Sequence, residues 1–346
     1  MPVNIPARPI STLKGTWTRI ITEDRLRRSS QVLTAIGQDI CIFGGEVLPR
    51  QPVDDQVDVV SLSHDAPRLE TKSLSVAPTP RVGSASANLN GRMYLFSGRG
   101  GTDMAPLEEK GAVWNYDPVE AKWNKIMPAD ISQPYPPARS YHCATAGGES
   151  GFYIHAGCPA DGRLSDLWKF DVWNRSWIQL PDAPLPHRGG ASIAYSNNKL
   201  YRMNGFDGTQ EQGGSIDIFD LDTNTWSSKI FQPDGNDGPE ARSVSVLLPF
   251  TFRNKAKLLT LFGERDPSSL GHAGAGKMLD DVWVYDIYEE WWTKIPTAGD
   301  DGVPDPRGWF DADVVEGTHG PSVVVHGGLG EDNERLGDIW LMSFPH

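Results

Sequence analysis

The sequence predicts an all-β fold, a six-bladed β-propeller whose last blade is closed by the N-terminal strand. Three observations lead to this prediction: a sixfold internal repeat, an excess of turn-forming residues, and an N-terminal segment that supplies what the last repeat lacks. The chain has 346 residues, of which 36 are glycine and 27 are proline. So many glycines and prolines without a collagen-like period indicate short strands joined by turns.

Each repeat contains an arginine, an apolar run that ends in glycine, a second short strand and, in most copies, a tryptophan strand. The arginines are Arg28, Arg81, Arg139, Arg188, Arg242 and Arg307. The apolar runs end at Gly45, Gly98, Gly157, Gly205, Gly263 and Gly328. The strands that follow begin at Val57, Val113, Leu167, Ile216, Val282 and Ile339. The tryptophan strands contain Trp123, Trp177, Trp226 and Trp292. Four short strands in roughly 50 residues are typical of a propeller blade of the kelch type.

We expect one domain over residues 1–346, with its six blades near 28–77, 78–131, 132–184, 185–235, 236–299 and 300–346. The last repeat ends without a tryptophan strand, and the segment Thr16–Ile20 around Trp17 has that missing pattern. We therefore assign residues 14–22 to the sixth blade, because this pairing leaves no open sheet edge where the ring closes. The first blade is the weakest copy, since Leu69–Ser73 carries no tryptophan.

The repeated residues have predictable structural roles. The glycine that ends each apolar run recurs in all six repeats. It indicates a backbone position that needs a positive φ or a close approach of another part of the chain. The strand tryptophans are expected to fill the space between neighbouring blades. The arginines begin the innermost strands, so they either ring one end of the central channel or hydrogen-bond to carbonyls of neighbouring blades.

Charge and composition exclude several classes of protein. There are 32 Lys and Arg against 45 Asp and Glu, a formal net charge of −13, which argues against a nucleic-acid binder or a protein of anionic membranes. The sequence has no apolar run of about 18 residues that could span a membrane. Met1–Gly15 lacks the apolar core of a signal peptide. The three cysteines form no disulfide framework. These observations predict a cytoplasmic protein.

The repeats differ at the residue that follows each glycine. In order these residues are Glu46, Arg99, Cys158, Phe206, Glu264 and Leu329. All six are expected near the same mouth of the channel. An acid, a cation, a thiol and an aromatic ring at equivalent positions are not a packing requirement, so they favour a polar small-molecule site, with ordinary loop variation as the alternative.

The longest insertion follows Glu264 directly and runs to Lys277. It holds Glu264, Asp266 and His272, three side chains that could bind divalent iron, manganese or zinc. The insertion also contains the beginning of a phosphate-binding loop at 271–277. Met278 stands where that motif needs Ser or Thr, and a strand follows instead of a helix, so we exclude nucleotide binding.

Several segments, in order along the chain, resemble the specifier proteins, kelch propellers that form nitriles, epithionitriles or thiocyanates. They are Gly44–Glu46, Ser97–Arg99, Pro137–His142, Arg188–Gly190, Glu240–Ser243, Glu264 with Gly271–His272, and Pro306–Trp309. The resemblance covers nearly the whole chain. It implies a ferrous ion (Fe2+) and a small anionic substrate, a thiohydroximate O-sulfate that loses sulfate.

The resemblance also implies roles for individual residues. Glu264 and His272 match the ends of the family's Glu-x3-Asp-x3-His iron motif, and Ser268 stands in its middle place. Asp266 is the candidate replacement for that third ligand. Arg99 and Arg139 match the arginines thought to hold the sulfate, and Glu46 and Trp309 match other residues of the pocket.

Three functions follow as hypotheses. The leading one is a specifier-like lyase in which ferrous iron assists the fragmentation or rearrangement of an anionic, sulfur-containing substrate at the channel mouth. The second is an enzyme of natural-product rearrangement or cyclisation on the same scaffold. The third is a non-catalytic kelch protein-interaction module. The resemblance is also compatible with a homodimer. Cys158 is a weaker candidate as a nucleophile, because no neighbouring residue in the sequence supplies a base.

Overall fold

The protein is described here by a computed structural model that covers residues 13–63, 66–317 and 320–345, without the side chain of His272. The N-terminal strand β1 (Gly15–Thr22) joins the last blade. The described strands include six antiparallel sets of four long strands. Short strands extend two of these sheets, one of them by a parallel pairing, and form two further small sheets. This arrangement agrees with the six-bladed propeller expected from the repeats.

The blades follow one another along the chain. The first contains β2 (Ser29–Ile36), β3 (Asp39–Leu48), β4 (Gln51–Pro52), β5 (Val57–Ser61) and β6 (Arg68–Lys72). The second contains β7 (Arg81–Val82), β8 (Ala85–Leu89), β9 (Arg92–Phe96), β10 (Arg99–Gly100), β11 (Ala105–Pro106), β12 (Val113–Asp117) and β13 (Lys122–Ile126). The third contains β14 (Cys143–Gly147), β15 (Gly151–Gly157), β16 (Leu164–Asp171) and β17 (Ser176–Leu180).

The fourth blade contains β18 (Ser192–Ser196), β19 (Lys199–Met203), β20 (Ser215–Asp220) and β21 (Thr225–Ile230). The fifth contains β22 (Val246–Phe252), β23 (Lys255–Leu261), β24 (Glu264–Arg265), β25 (Lys277–Met278), β26 (Val282–Asp286) and β27 (Trp291–Lys294). The sixth contains β28 (Thr297–Ala298), β29 (Asp311–Gly317), β30 (Gly320–His326), β31 (Asp338–Ser343) and β1.

The only helical segments in the described ranges are two short 3-10 turns, Asp24–Leu26 and Gly271–Ala273. No helix in this part of the chain is long and apolar enough to cross a membrane.

The ring is closed by β1, as the sequence predicts. This strand pairs antiparallel with β31, and Trp17 stands opposite Met342. The Trp17 side chain is 2% exposed and lies in the core cluster between the fifth and sixth blades, where it stacks on Phe262 with ring centroids 6.0 Å apart. The first and last parts of the chain thus share one hydrophobic core.

The recurring glycine has the predicted backbone conformation. At the six positions φ lies between 89° and 108°, a region that side chains with a Cβ rarely adopt. Space is also short there, because a Cβ on Gly157 would stand 2.7 Å from the Cβ of His142.

The strand tryptophans pack between neighbouring blades, which confirms the role expected from the repeat. Trp123 of the second blade meets Phe43 of the first with ring centroids 5.1 Å apart, and Trp177 of the third blade meets Phe96 of the second at 5.2 Å. Aromatic pairs at such distances add to the stabilisation from buried area.

The repeated arginines are all buried, and five of the six pair with an acid of their own blade. The pairs are Arg28–Asp58, Arg81–Glu109, Arg139–Asp166, Arg242–Asp281 and Arg307–Asp338. In four of these blades the acid also accepts the indole N–H of a tryptophan in the third long strand. The arginines therefore hold strands together through charge-assisted hydrogen bonds.

A ring of six backbone hydrogen bonds joins the blades at one end of the channel. Its members are Ser30, Gly83, Tyr141, Gly190, Val244 and Trp309, and each N–H donates to the carbonyl oxygen of the preceding blade's member across 2.7–3.1 Å. All six have a positive φ, between 46° and 61°. Behind this ring lies a channel cavity of about 280 Å³, which is lined by the innermost strands.

Candidate functional site

The residues that follow the six glycines occupy equivalent positions. Each forms a β-bridge with the residue after its blade's arginine, as the alignment of repeats predicts. The pairs are Glu46–Ser29, Arg99–Val82, Cys158–Ser140, Phe206–Gly189, Glu264–Ser243 and Leu329–Gly308. All six therefore stand beside the ring of hydrogen bonds, at one mouth of the channel.

Three of them, Cys158, Phe206 and Glu264, line a mouth cavity of about 240 Å³. The ring residues Tyr141 and Trp309 line it as well. The connecting loops contribute further polar side chains, namely Arg163, Glu211 and Ser268. The mouth cavity thus lies off the channel axis, over the third to fifth blades, and combines aromatic walls with groups of both charges.

Glu264 is the most firmly held polar residue of this wall. Its side chain is buried, and its Oε1 accepts the backbone N–H of Gly276 across 2.7 Å. A hydrogen bond from Trp309 also reaches the carboxylate. Burial raises the pKa of Glu264, and these two hydrogen bonds oppose that shift. The carboxylate therefore ties the insertion loop and the indole together.

The insertion loop is fixed at its base. Strands β24 and β25 pair Glu264 with Met278, and the Met278 N–H donates to the Glu331 carboxylate across 3.0 Å. Asn333 donates to the carbonyl of Ala273 across 3.2 Å. The loop of the sixth blade around 331–333 thus supports the insertion of the fifth.

The iron ligands implied by the resemblance do not come together among the described residues. Asp266 is exposed and does not line the mouth cavity. The Ser268 hydroxyl accepts the Leu270 N–H of its own turn across 3.1 Å. The His272 side chain lies outside the described part, in which no group of three His, Cys, Asp or Glu side chains could hold a metal ion. Of this motif, Glu264 and Ser268 are the described side chains that reach the cavity, and the ferrous site stays a prediction.

Arg139 has a different environment from the one that the sequence suggested. Its side chain is fully buried and donates to both carboxylate oxygens of Asp166, across 2.6 and 2.8 Å. It also donates to the carbonyls of Pro137 and Ala156, each across 3.0 Å. With its donors occupied in this way, Arg139 is not open to a substrate anion, and the bonds of its side chain stay within the third blade instead of reaching carbonyls of a neighbouring blade.

Arg163 stands where an anion could be held, although the sequence analysis did not single it out. Its guanidinium carbon lies over the Phe206 ring, 5.1 Å from the centroid, on the wall of the mouth cavity. Within the described residues it forms no ion pair and no hydrogen bond. Arg163 lies in the loop before β16, outside the repeated motifs, and the only sequence signal was a basic residue in a loop next to Cys158.

Arg99 lies behind this wall, beside Cys158 and Tyr141. Burial raises the pKa of the Cys158 thiol, and the positive charges of Arg163 and Arg99 oppose that effect. Arg99 forms no ion pair within the described ranges. Arg163 on the cavity wall and Arg99 behind it thus both place positive charge near Cys158.

Glu211 is a second residue that the sequence analysis did not find. It pairs with Phe206 in a β-bridge, and its carboxylate lines the mouth cavity. Burial, together with repulsion from Glu264 and Asp266, raises the pKa of Glu211 to about 7. This carboxyl group is therefore partly protonated at neutral pH.

Glu46 is buried outside the cavity wall. Its carboxylate accepts the Arg50 N–H across 2.7 Å and lies 3.3 Å from Nη2 of Arg335. Burial is the largest influence on its pKa and raises it, and the hydrogen bonds oppose this effect. Glu46 therefore connects the first blade to the loop of the last. Of the pocket residues that the family resemblance implies, Trp309 reaches the cavity together with Glu264.

Six antiparallel blades around a channel, with a polar cavity at one mouth, define a kelch-type propeller that carries a small-molecule-sized pocket. The chain matches the KLHDC2/KLHL20/DRC7 kelch-repeats domain over residues 30–263, and it belongs to this kelch-repeat family. The chain is also similar to the solved structure of YjhT, with a TM-score of 0.69 at 14% identity over 94% of this chain and 99% of that one. This similarity agrees with the fold.

One similar protein matches over nearly its full length. It is the N-(sulfonatooxy)prop-2-enimidothioate sulfolyase of Thlaspi arvense, 24% identical over 96% of this chain and 98% of that protein. This similarity supports a specifier-like function. Adagio-like protein 3 of Oryza sativa subsp. japonica is 25% identical and Kelch domain-containing protein 10 of Xenopus tropicalis 28% identical. The chain spans only 37% and 48% of the length of these two proteins.

Proposed function

We propose that the protein is a specifier-like lyase that binds a small N-sulfonatooxy imidothioate in the mouth cavity and promotes the loss of its sulfate. The observation that carries the proposal is the Arg163 guanidinium, which lies on the cavity wall without an ion pair in the described structure. The full-length similarity to the sulfolyase of Thlaspi arvense supports the choice of substrate class.

A substrate of this class needs local positive charge. It carries an O-sulfate group and a thiolate, whereas the protein as a whole has a net charge of −13 and repels anions. Five of the six repeated arginines are neutralised by acids of their own blades. Arg163 lies on the cavity wall without an ion pair to a described residue, and a guanidinium group binds sulfate oxygens through two parallel hydrogen bonds.

The proposed reaction places new charge on the leaving sulfate. The N–O bond breaks and both of its electrons go to sulfate. For the nitrile that the resemblance implies, the C–S bonding pair moves into the C–N bond and a neutral sulfur atom is left. Donors that meet the developing charge lower the barrier, and Arg163 is placed to do so from the cavity wall.

The carboxyl groups have supporting roles in this proposal. Glu264 holds Gly276 and Trp309 and so keeps the aromatic wall in position. Glu211, with its pKa raised to about 7, is partly neutral at physiological pH, which reduces its repulsion of a dianion. If a ferrous ion binds, Glu264 and His272 are the ligands that the resemblance implies, and the ion would supply Lewis-acid or one-electron chemistry at sulfur.

The test is a product analysis with the thiohydroximate O-sulfate generated in situ from allyl glucosinolate by a thioglucosidase, with and without ferrous iron. We expect the protein to divert product from isothiocyanate to nitrile-type compounds, measured by gas chromatography. Arg163→Gln should lower the diverted fraction per protein at least about tenfold, since a hydrogen bond to a charged group contributes about 1.5–3 kcal/mol. Arg265→Gln is the matched control, because Arg265 is 39% exposed and pairs with Glu240. An unchanged product ratio with the parent protein, under both iron conditions, would contradict the proposal.

A protein-interaction module is the second candidate, and one observation favours it. Val119, Trp173 and Tyr288 occupy equivalent turns of three blades and are 93%, 64% and 85% exposed. Large contiguous apolar patches mark protein contact surfaces, and these three side chains repeat at one rim. If the parent protein does not change the product ratio, this candidate takes its place, and Trp173→Ser is the variant to compare in partner binding.

A further inference from the structure

The mouth cavity and the channel cavity share a wall. Tyr141, Gly190, Val244 and Trp309 line both cavities, and all four belong to the ring of backbone hydrogen bonds. The ring positions of the other two blades carry Ser30 and Gly83. The ring therefore marks the boundary between the mouth and the channel.

Two aromatic side chains close this boundary. Tyr141 comes from the third blade and Trp309 from the sixth, on opposite sides of the propeller, and their rings meet edge to face with centroids 5.3 Å apart and an interplanar angle of 86°. The other ring positions carry glycine, serine or valine, so none of them could reach across. We call Tyr141 and Trp309 the aromatic floor of the mouth cavity.

The aromatic floor is held from both sides. The Tyr141 ring lies over Gly83, where a Cβ would stand 2.9 Å from Cε1, so only glycine leaves room for it. The Tyr141 hydroxyl forms a hydrogen bond with Ser30. Trp309 is held by Glu264, so each ring is fixed by a polar partner on another blade.

The channel below the floor has space for apolar groups. Its walls near the ring carry small side chains such as Ala85 and Ala144, together with polar ones such as Ser192, Ser245 and Asp311. The channel cavity of about 280 Å³ is as large as the mouth cavity above it, which at about 240 Å³ is below the 300–1,000 Å³ typical of pockets for drug-sized ligands. The floor thus divides a deep cavity into two shallow ones.

We propose that Tyr141 and Trp309 determine specificity by limiting the length of the ligand side chain that the mouth cavity accepts. The anionic group of the ligand binds at Arg163, and its side chain meets the aromatic floor. Removal of the Tyr141 ring connects the two cavities, so that a longer chain extends into the channel. The inference rests on the proposed function in one respect only, namely that an anionic group binds at Arg163.

Binding of n-alkyl sulfates from methyl to hexyl, measured by isothermal titration calorimetry, tests this inference without turnover. With the parent protein we expect the affinity to rise over the first methylenes and then to fall. With Tyr141→Ser the rise should continue through hexyl sulfate, by up to about fourfold for each buried methylene. Serine is tolerated at a ring position, as Ser30 shows with its φ of 58°.

Tyr141→Phe is the matched control, because it keeps the ring and removes only the hydroxyl, and it should reproduce the parent's chain-length profile. Three results would each overturn the inference. The chain-length profile of Tyr141→Ser could equal the parent's, or the parent's affinity could rise through hexyl sulfate. The profile of Tyr141→Phe could also shift like that of Tyr141→Ser. Failure of methyl sulfate to bind would overturn it as well. Normal alkyl sulfate binding without any change of product ratio would contradict the proposed function alone. If Tyr141→Ser does not fold, Tyr141→Gly gives the same comparison, since glycine occupies two ring positions.

Discussion

The backbone N–H of Ser30 donates to the carbonyl oxygen of Trp309 across 2.8 Å, and this bond joins the first blade to the last. The same two blades meet again inside the channel, where the carboxylates of Asp311 and Asp313 accept the N–H groups of Leu33 and Ala35 across 2.7 and 2.8 Å. Side-chain oxygens thus satisfy backbone donors at the inner edge of β2. The sixth blade is itself completed by β1, so the ends of the ring are fastened at several levels.

The contribution of β1 can be measured with Trp17→Ala. This variant leaves a cavity in the core between the fifth and sixth blades, and loss of a buried tryptophan costs about 3–5 kcal/mol. We expect a fall of several degrees in melting temperature by calorimetry, together with aggregation on heating. Trp173→Ala, at a side chain that is 64% exposed, is the control and should melt like the parent. If Trp17→Ala and Trp173→Ala had the same melting temperature, β1 would not contribute to the closure of the ring.

The carboxylates inside the channel predict a pH dependence of stability. Burial raises the pKa of Asp311 to about 7 and that of Asp313 to about 6, against about 3.9 in an unfolded chain. The folded state therefore binds more protons than the unfolded state between about pH 4 and 7. The contribution of these two carboxyl groups to the free energy of unfolding falls as the pH rises through this window. Asp311→Asn removes one titrating group and keeps one oxygen, which can still accept the Leu33 N–H, whereas the hydrogen bond from Ala312 is lost.

Urea unfolding of the parent and of Asp311→Asn at pH 5 and pH 7.5 measures this effect. We expect the free energy of unfolding to decrease less between these pH values in Asp311→Asn than in the parent. Asp103→Asn, at an exposed position, should behave like the parent. The same pH dependence in the parent and Asp311→Asn would show that Asp311 does not titrate in this range.

Arg139 and Arg163 are predicted to respond in opposite ways to replacement by alanine. Arg139→Ala leaves Asp166 buried without its partner, and breaking a buried ion pair costs about 3–5 kcal/mol. We expect this variant to melt several degrees lower. Arg163→Ala should melt like the parent and bind methyl sulfate more weakly in calorimetry. A stable Arg139→Ala that loses sulfate binding would restore the role suggested by the family resemblance.

The architecture was predictable because each structural requirement recurs in the sequence. The positive φ of the second glycine appears in every repeat, and Trp17 fits the one place where a copy is incomplete. Arg139 shows the limit of this reasoning. Its recurrence suggested a common position, but the partner that neutralises it, Asp166, lies 27 residues away and became apparent only in the folded chain. The aspartates two residues before the tryptophan of the third long strand were the signal that could have identified this pairing.

The candidate site was less predictable because its polar residues lie outside the repeats. Arg163 and Glu211 are on connecting loops, and their shared cavity depends on how loops of different blades approach one another. Glu264 was found because it follows a repeated glycine. Tyr141 and Trp309 occupy equivalent ring positions, yet their contact across the mouth depends on the curvature of the whole ring.

The fourth blade offers a test of the arginine–acid pairs. Ser215 stands where three other blades have Asp166, Asp281 and Asp338, and Arg188 forms no ion pair with a described residue. Burial, with repulsion from Arg202, lowers the pKa of Arg188 to about 9. Ser215→Asp supplies the missing acid, and we expect a stabilisation of about 1.5–3 kcal/mol, seen as a rise in melting temperature. Ser215→Asn is the uncharged control and should not show it. A Ser215→Asp protein that melts at or below the parent's temperature would show that the site cannot use the added charge.

Ferrous binding is predicted to be weak in the parent and stronger in Ser268→Asp. Ser268 lines the mouth cavity together with Glu264, but its hydroxyl is neutral, whereas a carboxylate is an anionic ligand for divalent iron. We expect Ser268→Asp to raise the affinity for Fe2+ at least about tenfold, or about 1.4 kcal/mol, in anaerobic calorimetric titrations. Asp266→Asn should leave the affinity unchanged, because Asp266 is exposed and does not line the cavity. His272→Ala tests the third ligand and should reverse the gain of Ser268→Asp. Absence of binding in both the parent and Ser268→Asp would rule out an iron site on this loop.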